Sequence, residues 1–318
     1  MSSKVELTRR HFLAASAATL AGASSLAGCG KDKAAHTEAT AAPNSGGAAP
    51  ARSLGQVQAR SKVILVRNDK VMDDNRAIDG AVLASMLDQA VTALVGEADA
   101  TKAWATLIKP NDTVGIKTNE WRFLRTPPEL ESALKDRVVR AGVSPERVSV
   151  RDKQVLADPI FQSATALINA RPMRTHHWAG VGTCVKNYIL FHPTPSDWHA
   201  DSCANLAGIW KLPIVEGKTR LNVLVMLSPL FHGKGPHHYL PEYTWNYKGL
   251  IVGFDPVAVD ATGVRILQAH RREHFGKEEP FSTPVTHLQV AQDKYQLGWA
   301  EASRIDVVKL GWQDGVLI

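Results

Sequence analysis

One stretch of the sequence gathers side chains that could do chemistry. Residues 168–187 contain two adjacent histidines, His176 and His177, and a glycine-rich turn that is followed by Lys186. A histidine can act as a general base or as a metal ligand near neutral pH, and a lysine can stabilise a negative charge. We therefore predict His176 and Lys186 as catalytic residues, although a histidine that is simply buried in the core fits the same pattern.

Other polar side chains follow predicted strands, and in a parallel sheet the carboxyl ends of the strands share one edge. A helix that we expect to begin near Thr183 would add free backbone N–H groups, which attract anions. These positions predict contacts to a small polar or anionic substrate. The candidate substrate-binding residues are Lys117, Asn119, Arg174, Asn187 and Lys234.

Two aspartates lie near the start of a predicted helix that follows a strand at 250–254. Asp255 is explained as the helix N-cap, because Pro256 is then the first helical residue. Asp260 lies one turn further on, where a buried carboxylate needs a cation or hydrogen-bond donors. We therefore predict Asp260 as a third catalytic residue, at the same edge of the sheet as the other candidates.

A bound metal ion is a further prediction, and the cofactor is otherwise left open. The candidate metal ligands are His176, His199 and Asp260. An iron–sulfur cluster is not expected, because the chain has only three scattered cysteines: Cys29, Cys184 and Cys203. The last two are expected either to pair in an oxidising compartment or to be small buried residues.

The N-terminus carries an export pattern. Arg9 and Arg10 precede an apolar, alanine-rich run that is too short to span a membrane, which is typical of a twin-arginine signal. Residues 26–29 resemble a lipobox, in which Cys29 is lipidated and becomes the mature N-terminus. The alternative is an amphipathic helix with a chance arginine pair.

This pattern divides the chain into three parts. We expect a lipoprotein-type twin-arginine signal peptide over residues 1–28, a disordered tether over 29–60 and a folded domain over 61–318. The expected partners are the twin-arginine export machinery and the membrane, the latter through lipidated Cys29. The expected location is the periplasm or cell envelope, as a membrane-anchored lipoprotein.

Strands and helices alternate along the predicted domain. Short apolar runs predict strands, and apolar residues at helical spacing predict the helices between them. Such alternation predicts an α/β fold with a largely parallel sheet and helices on both faces, as a single large domain of one or two lobes. The predicted strands are 63–66, 113–118, 147–150, 166–169, 221–226, 250–254 and 305–310, and the predicted helices are 82–94, 126–142, 256–270 and 285–295.

The distribution of charge argues against a nucleic-acid partner. The chain has a net charge of +6, but +4 of it lies in the first 60 residues, outside the predicted domain. A domain that binds nucleic acid concentrates its basic residues instead. We therefore expect no nucleic-acid partner.

Four segments, taken in order, resemble the family catalogued as domain of unknown function 362 (DUF362). The likeness extends over most of residues 62–312, and it implies a fold and a site location rather than a reaction. The family pattern usually has lysine before the Thr-His pair, where this chain has Arg174, and the ferredoxin-like cysteine clusters of some relatives are missing. The segments are 114–119, 169–187 (with Arg174-Thr175-His176 and Lys186-Asn187), 233–236 and 255–260.

A fainter likeness relates residues 176–182, together with Lys186, to the His-x-x-Ala-Gly segment of nickel-pincer lactate racemases. We expect a metal- or cofactor-dependent enzyme, either redox or hydrolytic, that acts on a small polar or anionic substrate. The alternative is a non-catalytic periplasmic lipoprotein that binds a metal or another ligand. A Rossmann dinucleotide site and a serine hydrolase are not favoured, because neither glycine motif occurs in the required context.

Overall fold

The computed structural model describes residues 59–235 and 239–318. Eight strands in this part form one sheet in the order β3-β2-β4-β6-β7-β1-β8, with β5 antiparallel to the end of β4. All strands except β5 and β7 run in the same direction. The strands are β1 (Ser61–Arg67), β2 (Val114–Lys117), β3 (Val148–Arg151), β4 (Ala166–His176), β5 (Gly180–Gly182), β6 (Thr219–Leu230), β7 (Gly249–Gly253) and β8 (Ile305–Gly311).

Helices cover both faces of this mostly parallel sheet, which confirms the predicted α/β class within a single domain. One core lies between the sheet and α1, α2 and α3. The other core lies between the sheet and α5, α7 and α8. The helices of the described part are α1 (Gly80–Val95), α2 (Ala100–Leu107), α3 (Pro128–Arg140), α4 (Pro159–Gln162), α5 (Cys184–Asn187), α6 (Ala200–Cys203), α7 (Pro256–Phe275) and α8 (Thr286–Asp293).

The two long helices begin at aspartate caps. The carboxylate of Asp79 accepts hydrogen bonds from two backbone N–H groups of α1, and Asp255 does the same for α7, as its sequence position predicted. No side chain of the described residues caps the start of α3. The Thr126 hydroxyl, at the predicted start of this helix, is used elsewhere: it donates to the Ala170 carbonyl and accepts from the Asn119 N–H. Thr126 therefore ties the chain after β2 to β4.

Strand β4 is much longer than predicted. It continues to His176, and all eleven of its residues are buried. We expected a loop after Asn169, since the following arginines and histidine do not resemble a strand core. A register shift against β6 between Pro172 and Arg174 interrupts the strict alternation of side chains along the strand.

The direction of strand β7 places Asp255 at the opposite edge of the sheet from the one expected. Because β7 is antiparallel to β6 and β1, it ends at the edge where β1 begins. Asp255 consequently accepts a hydrogen bond of 2.6 Å from Ser61, the first residue of β1. The expectation that all post-strand residues share one edge is therefore wrong for Asp255, which lies opposite Lys117 and His176.

Helix α2 was not predicted. It begins after Asp99, whose carboxylate accepts a hydrogen bond from the Lys102 N–H, and it buries Trp104 and Leu107. Within the described ranges, no single helix is long and apolar enough to cross a membrane; α1 and α2 meet that criterion only as a pair bent by 66°. The predicted signal peptide, most of the predicted tether and Cys29 lie outside the described residues.

Candidate functional site

Three buried basic side chains form what we call the cationic cluster: Arg171, Arg174 and Lys186. Their residues are only 4%, 4% and 3% exposed. The arginines lie on β4, and Lys186 lies on α5. Burial, together with the positive charges of both arginines, lowers the pKa of Lys186 to about 8, while contact with Cys203 opposes the shift. The three groups therefore interact within one low-dielectric region.

No carboxylate in the described part of the chain forms an ion pair with the cationic cluster. The buried Nε atoms of Arg171 and Arg174 have no hydrogen-bond partner. Arg174 donates through Nη1 to Asn119 Oδ1 at 2.8 Å, and Lys186 Nζ contacts Cys203 Sγ at 3.5 Å. The cluster thus keeps most of its donors uncommitted.

Other buried arginines of this chain are bonded quite differently. Arg271, which is 2% exposed, donates to the carbonyls of Phe231, Glu279 and Pro280. Arg67 donates to two carbonyls and lies between two aromatic rings. The fold therefore supplies acceptors to a buried guanidinium where the role is structural, and Arg171 is an exception.

Strand β5 pairs with the end of β4, and its Gly182 lies next to both arginines of the cluster. A Cβ atom added to Gly182 would lie 3.0 Å from Arg171 Nη2 and 3.5 Å from Arg174 Cγ. Glycine at this position therefore leaves room for the guanidinium group of Arg171 and the side chain of Arg174.

His176 is held as a neutral donor next to the cluster. Its Nδ1 accepts a hydrogen bond of 3.2 Å from the Trp178 N–H, so a neutral ring carries its proton on Nε2. Burial, followed by the charges of Lys186, Arg171 and Arg174, lowers the pKa of His176 far below its usual range. At neutral pH the ring can therefore donate a hydrogen bond without adding charge.

Two more histidines surround Lys186. Burial and the Lys186 charge lower the pKa of His199 to about 4, and its ring packs against Trp178 with centroids 4.1 Å apart. His287 is fully buried on α8, and both of its ring nitrogens have no partner. Burial, Lys186 and Arg171 lower its pKa to about 3. Both rings are neutral polar groups near the cluster.

The segment over Lys186 is the short element α6, whose backbone is not that of a right-handed helix. Asp201, Ser202 and Cys203 all have positive φ, of 50°, 54° and 61°. A left-handed turn costs a non-glycine residue about 1–2 kcal/mol. This strained turn, residues 201–203, places the Cys203 thiol against Lys186. Cys184 and Cys203 are both free and buried.

Lys117 is also fully buried, but its charge is matched. Its Nζ lies 2.6 Å from Asp152 Oδ1 and donates to the Thr118 carbonyl at 2.8 Å. Burial lowers the pKa of Lys117 to about 8, although the charge of Asp152 opposes that shift. Burial raises the pKa of Asp152, but Lys117 and the Glu120 N–H more than offset this, so the net pKa is lowered. Lys117 is therefore the paired counterpart of Lys186.

Asp260 serves the backbone of α5. Its carboxylate accepts hydrogen bonds from the Thr183 hydroxyl at 2.6 Å and from the N–H groups of Cys184 and Val185 at 2.9 and 2.7 Å. Burial raises the pKa of Asp260 to about 7, against the effect of these donors and of Arg171. The anion at the start of α5 is therefore the chain's own aspartate.

This arrangement corrects the predicted metal site. Asp260 uses both carboxylate oxygens on α5, and among residues 59–235 and 239–318 no three His, Cys, Asp or Glu side chains are placed to hold a metal ion. His176, His199 and Asp260 do not form the expected ligand set.

The remaining candidates have different positions. Asn187 donates through Nδ2 to Asn169 Oδ1 and to the Lys117 carbonyl, which fixes α5 to the sheet, while its own Oδ1 is buried without a partner. Asn119 is buried and bonded to Arg174. Lys234 is exposed to solvent. The structure thus brings Asn119 and Asn187 to the buried site and leaves Lys234 on the surface.

Our sequence reasoning missed Arg171, Asp152 and His287 as site residues. Arg171 is two residues from Asn169 on the same strand, a spacing that places both side chains on one face. Asp152 directly follows β3, so the post-strand rule could have found it. Nothing in the sequence around His287 distinguishes it from an ordinary helical residue.

A separate cavity of about 340 Å³ lies on the other face of the sheet, between α3 and the ends of β4 and β6. Arg122 and Arg125 line it, but both are exposed to solvent, and Arg125 lies 3.9 Å from the Glu131 carboxylate. Exposed arginines need no anionic ligand to offset a cost of burial, so this cavity is weaker evidence for an anion-binding site than the cationic cluster is.

Comparison with known proteins gives one relationship. No curated protein and no solved structure matches the chain. Residues 143–265 match the model of a family described as Domain of unknown function (DUF362). The matched segment includes Arg171, Arg174, His176, Lys186 and Asp260, whereas Lys117, Asn119 and His287 lie outside it. The cationic cluster thus lies wholly within the part of the chain that is similar to the DUF362 family.

Proposed function

We propose that this protein is an enzyme whose substrate is a small anion with more than one negative charge, bound at the cationic cluster. One observation carries the proposal: Arg171, Arg174 and Lys186 are buried together, and no carboxylate of the described residues lies within ion-pair distance of them, although the charges of Asp152 and Asp260 reach Arg171 from further away. Removing a charge from water is costly unless an opposite charge or hydrogen bonds compensate. An anionic ligand would supply both.

The donor set supports a carboxylate or phosphate as the ligand. Arginine presents a planar fork of N–H groups that fits two oxygens of such a group, and charged hydrogen bonds of this kind are strong. Uncommitted guanidinium nitrogens on Arg171 and Arg174 would bind the anion, and Lys186 would approach it as a compact charge. The Nε2–H of His176 would donate one more hydrogen bond.

The same residues could support catalysis. Preorganised donors stabilise negative charge that develops in a transition state, because they need not reorganise as it forms. Lys186 has a pKa of about 8, so near neutral pH it can exchange a proton with a bound substrate. Asn119 would act as a positioning residue through its bond to Arg174.

The test is binding of malonate, a small dianion, measured by isothermal titration calorimetry. Arg171→Met is expected to weaken binding about 10- to 100-fold, since it removes charged hydrogen bonds. Arg140→Gln is the matched control, because it removes a positive charge from an exposed position on α3, and it should leave the affinity unchanged. Undetectable binding of malonate, phosphate and sulfate to the wild-type protein would refute the proposal.

We further propose, from the sequence pattern alone, that the protein is exported by the twin-arginine machinery and held at the membrane through lipidated Cys29. Cell fractionation tests this directly. Cys29→Ala should move the protein from the membrane to the soluble exported fraction, and an unchanged distribution would contradict the proposal.

A further inference from the structure

The surroundings of the Lys186 amine differ from those of a lysine that only binds an anion. Its Nζ is deeply buried, it has no carboxylate partner in the described residues, and its neighbour is the Cys203 thiol. Burial and a nearby positive charge both favour the neutral amine, which is the nucleophilic form of lysine. Arg171 and Arg174 supply that charge.

A second buried lysine provides an internal comparison. Lys117 donates to Asp152 and to the Thr118 carbonyl, so its ammonium form is held by two acceptors. Loss of its proton would leave Asp152 as an unpaired buried carboxylate. Lys186 can lose its proton without creating such a group.

From this geometry we infer that Lys186 forms an imine with a carbonyl compound that also carries a carboxylate or phosphate group. The anionic group would lie against Arg171 and Arg174, which would leave the carbonyl carbon to Lys186. This inference rests on the proposed function, because the same cluster must first bind the anion. It adds a covalent step and narrows the substrate class.

The step balances within the site. The neutral amine of Lys186 attacks the carbonyl carbon: a C–N bond forms, and the carbonyl oxygen becomes an alkoxide that accepts a hydrogen bond from His176 Nε2–H. One proton then moves from the nitrogen to this oxygen, which gives a carbinolamine. The second nitrogen proton moves to the hydroxyl group, and the C–O bond breaks to release water. The products are one imine and one water molecule, so no oxidant or reductant is needed.

The test is reductive trapping of the full-length protein. Pyruvate and dihydroxyacetone phosphate are each incubated with the protein and sodium cyanoborohydride, which reduces an imine to a stable secondary amine. Peptide mapping by mass spectrometry then locates the label. We expect label on Lys186 with one or both compounds, none on Lys117, and little with acetone, which has the carbonyl group but no charge.

The choice of probes separates the two proposals. Malonate has no ketone, so its binding reports on the anion site alone. Malonate binding without trapped label on Lys186 would overturn the imine and leave the proposed function standing. Label that spreads equally over Lys117 and exposed lysines would also overturn it.

A variant provides the matched control. Arg140→Gln, at an exposed position on α3, is expected to keep the trapped label. Lys186→Arg removes the nucleophilic amine but keeps the positive charge, and it is expected to lose that label. Trapping that is unchanged in this variant would contradict the inference. Because the wild-type peptide map needs no substitution, the test holds even if the variant fails to fold.

Discussion

At the scale of single residues, the site is defined by groups that lack partners. His287 is fully buried with neither ring nitrogen bonded, next to an arginine and a lysine whose charges oppose its protonation. A buried ring without hydrogen bonds lowers the stability of the ligand-free protein, and a ligand that supplies an acceptor would remove this cost. Arg171 likewise has donors without acceptors, whereas the guanidinium of Arg271 donates to three backbone carbonyls.

The histidines make stability dependent on pH. Their folded pKa values lie below the usual 6.5, so the unfolded chain binds more protons as the pH falls from about 6.5 towards 4, and stability is lost over that window. Asp260 has the opposite effect, because its raised pKa lets the folded state take up a proton first. The histidines concerned are His176, His199, His232, His270 and His287.

We therefore predict that His287→Leu reduces the loss of stability in acid. At pH 5 the unmatched proton uptake of one histidine with a folded pKa of about 3 costs about 2 kcal/mol, which the variant should recover. Urea unfolding at pH 5 and pH 7 measures this, with Gln289→Leu on the exposed face of α8 as the control. If the free energy of unfolding of His287→Leu fell between pH 7 and pH 5 by as much as that of the wild-type protein, the prediction would be refuted.

At the scale of elements, the short helix α5 depends on tertiary contacts. A four-residue helix has no stability of its own. Asp260 satisfies its first N–H groups, and the Asn187 amide fixes its last residue to β4. Lys186 is consequently held at one position between two anchored ends.

We predict that Asp260→Ala destabilises the protein by about 4 kcal/mol, because it leaves three buried donors without an acceptor. Asp79→Ala removes the comparable cap of α1, but at an exposed position, and should cost about 1 kcal/mol. Urea unfolding near neutral pH compares the two. Equal losses would show that burial of the Asp260 contacts does not matter.

The sequence predicts a strand or helix well where the spacing of its apolar residues determines the type of element. Seven strands of the described part and the cap Asp255 were predicted from local pattern and chemistry, whereas the cap Asp79 was not. The second half of β4 could not be predicted, since Arg171, Arg174 and His176 resemble a polar loop and are buried only in the context of the site. Helix α2 was missed because a short helix shows too few periodic positions.

At the scale of the whole molecule, strand direction decides which residues meet. Local pattern cannot distinguish a parallel from an antiparallel β7, so Asp255 was placed at the wrong edge. Asp260 nevertheless reaches α5, since it lies one turn further along α7 on the buried side. The side chains of His176, Lys186 and Asp260 therefore come to one region, although Asp260 acts on the backbone.

The unmatched cations should lower the stability of the ligand-free protein. We predict that Arg171→Met raises its free energy of unfolding by about 1–3 kcal/mol, because a buried charge with no ion-pair partner costs desolvation energy that an apolar side chain does not. Arg271→Met should have the opposite effect, since it leaves buried carbonyls without donors. Thermal unfolding in anion-free buffer tests both. A loss of stability in both variants would mean that Arg171 is a structural arginine.

The left-handed turn at residues 201–203 covers Lys186, but its backbone conformation is strained. It holds the Cys203 thiol against Lys186 in a backbone conformation that costs each of its residues about 1–2 kcal/mol. An open arrangement with ordinary dihedral angles would not carry that cost. We therefore expect this segment to open for a smaller free energy than an unstrained segment with the same contacts would need, and such an opening would give small molecules access to the buried lysine.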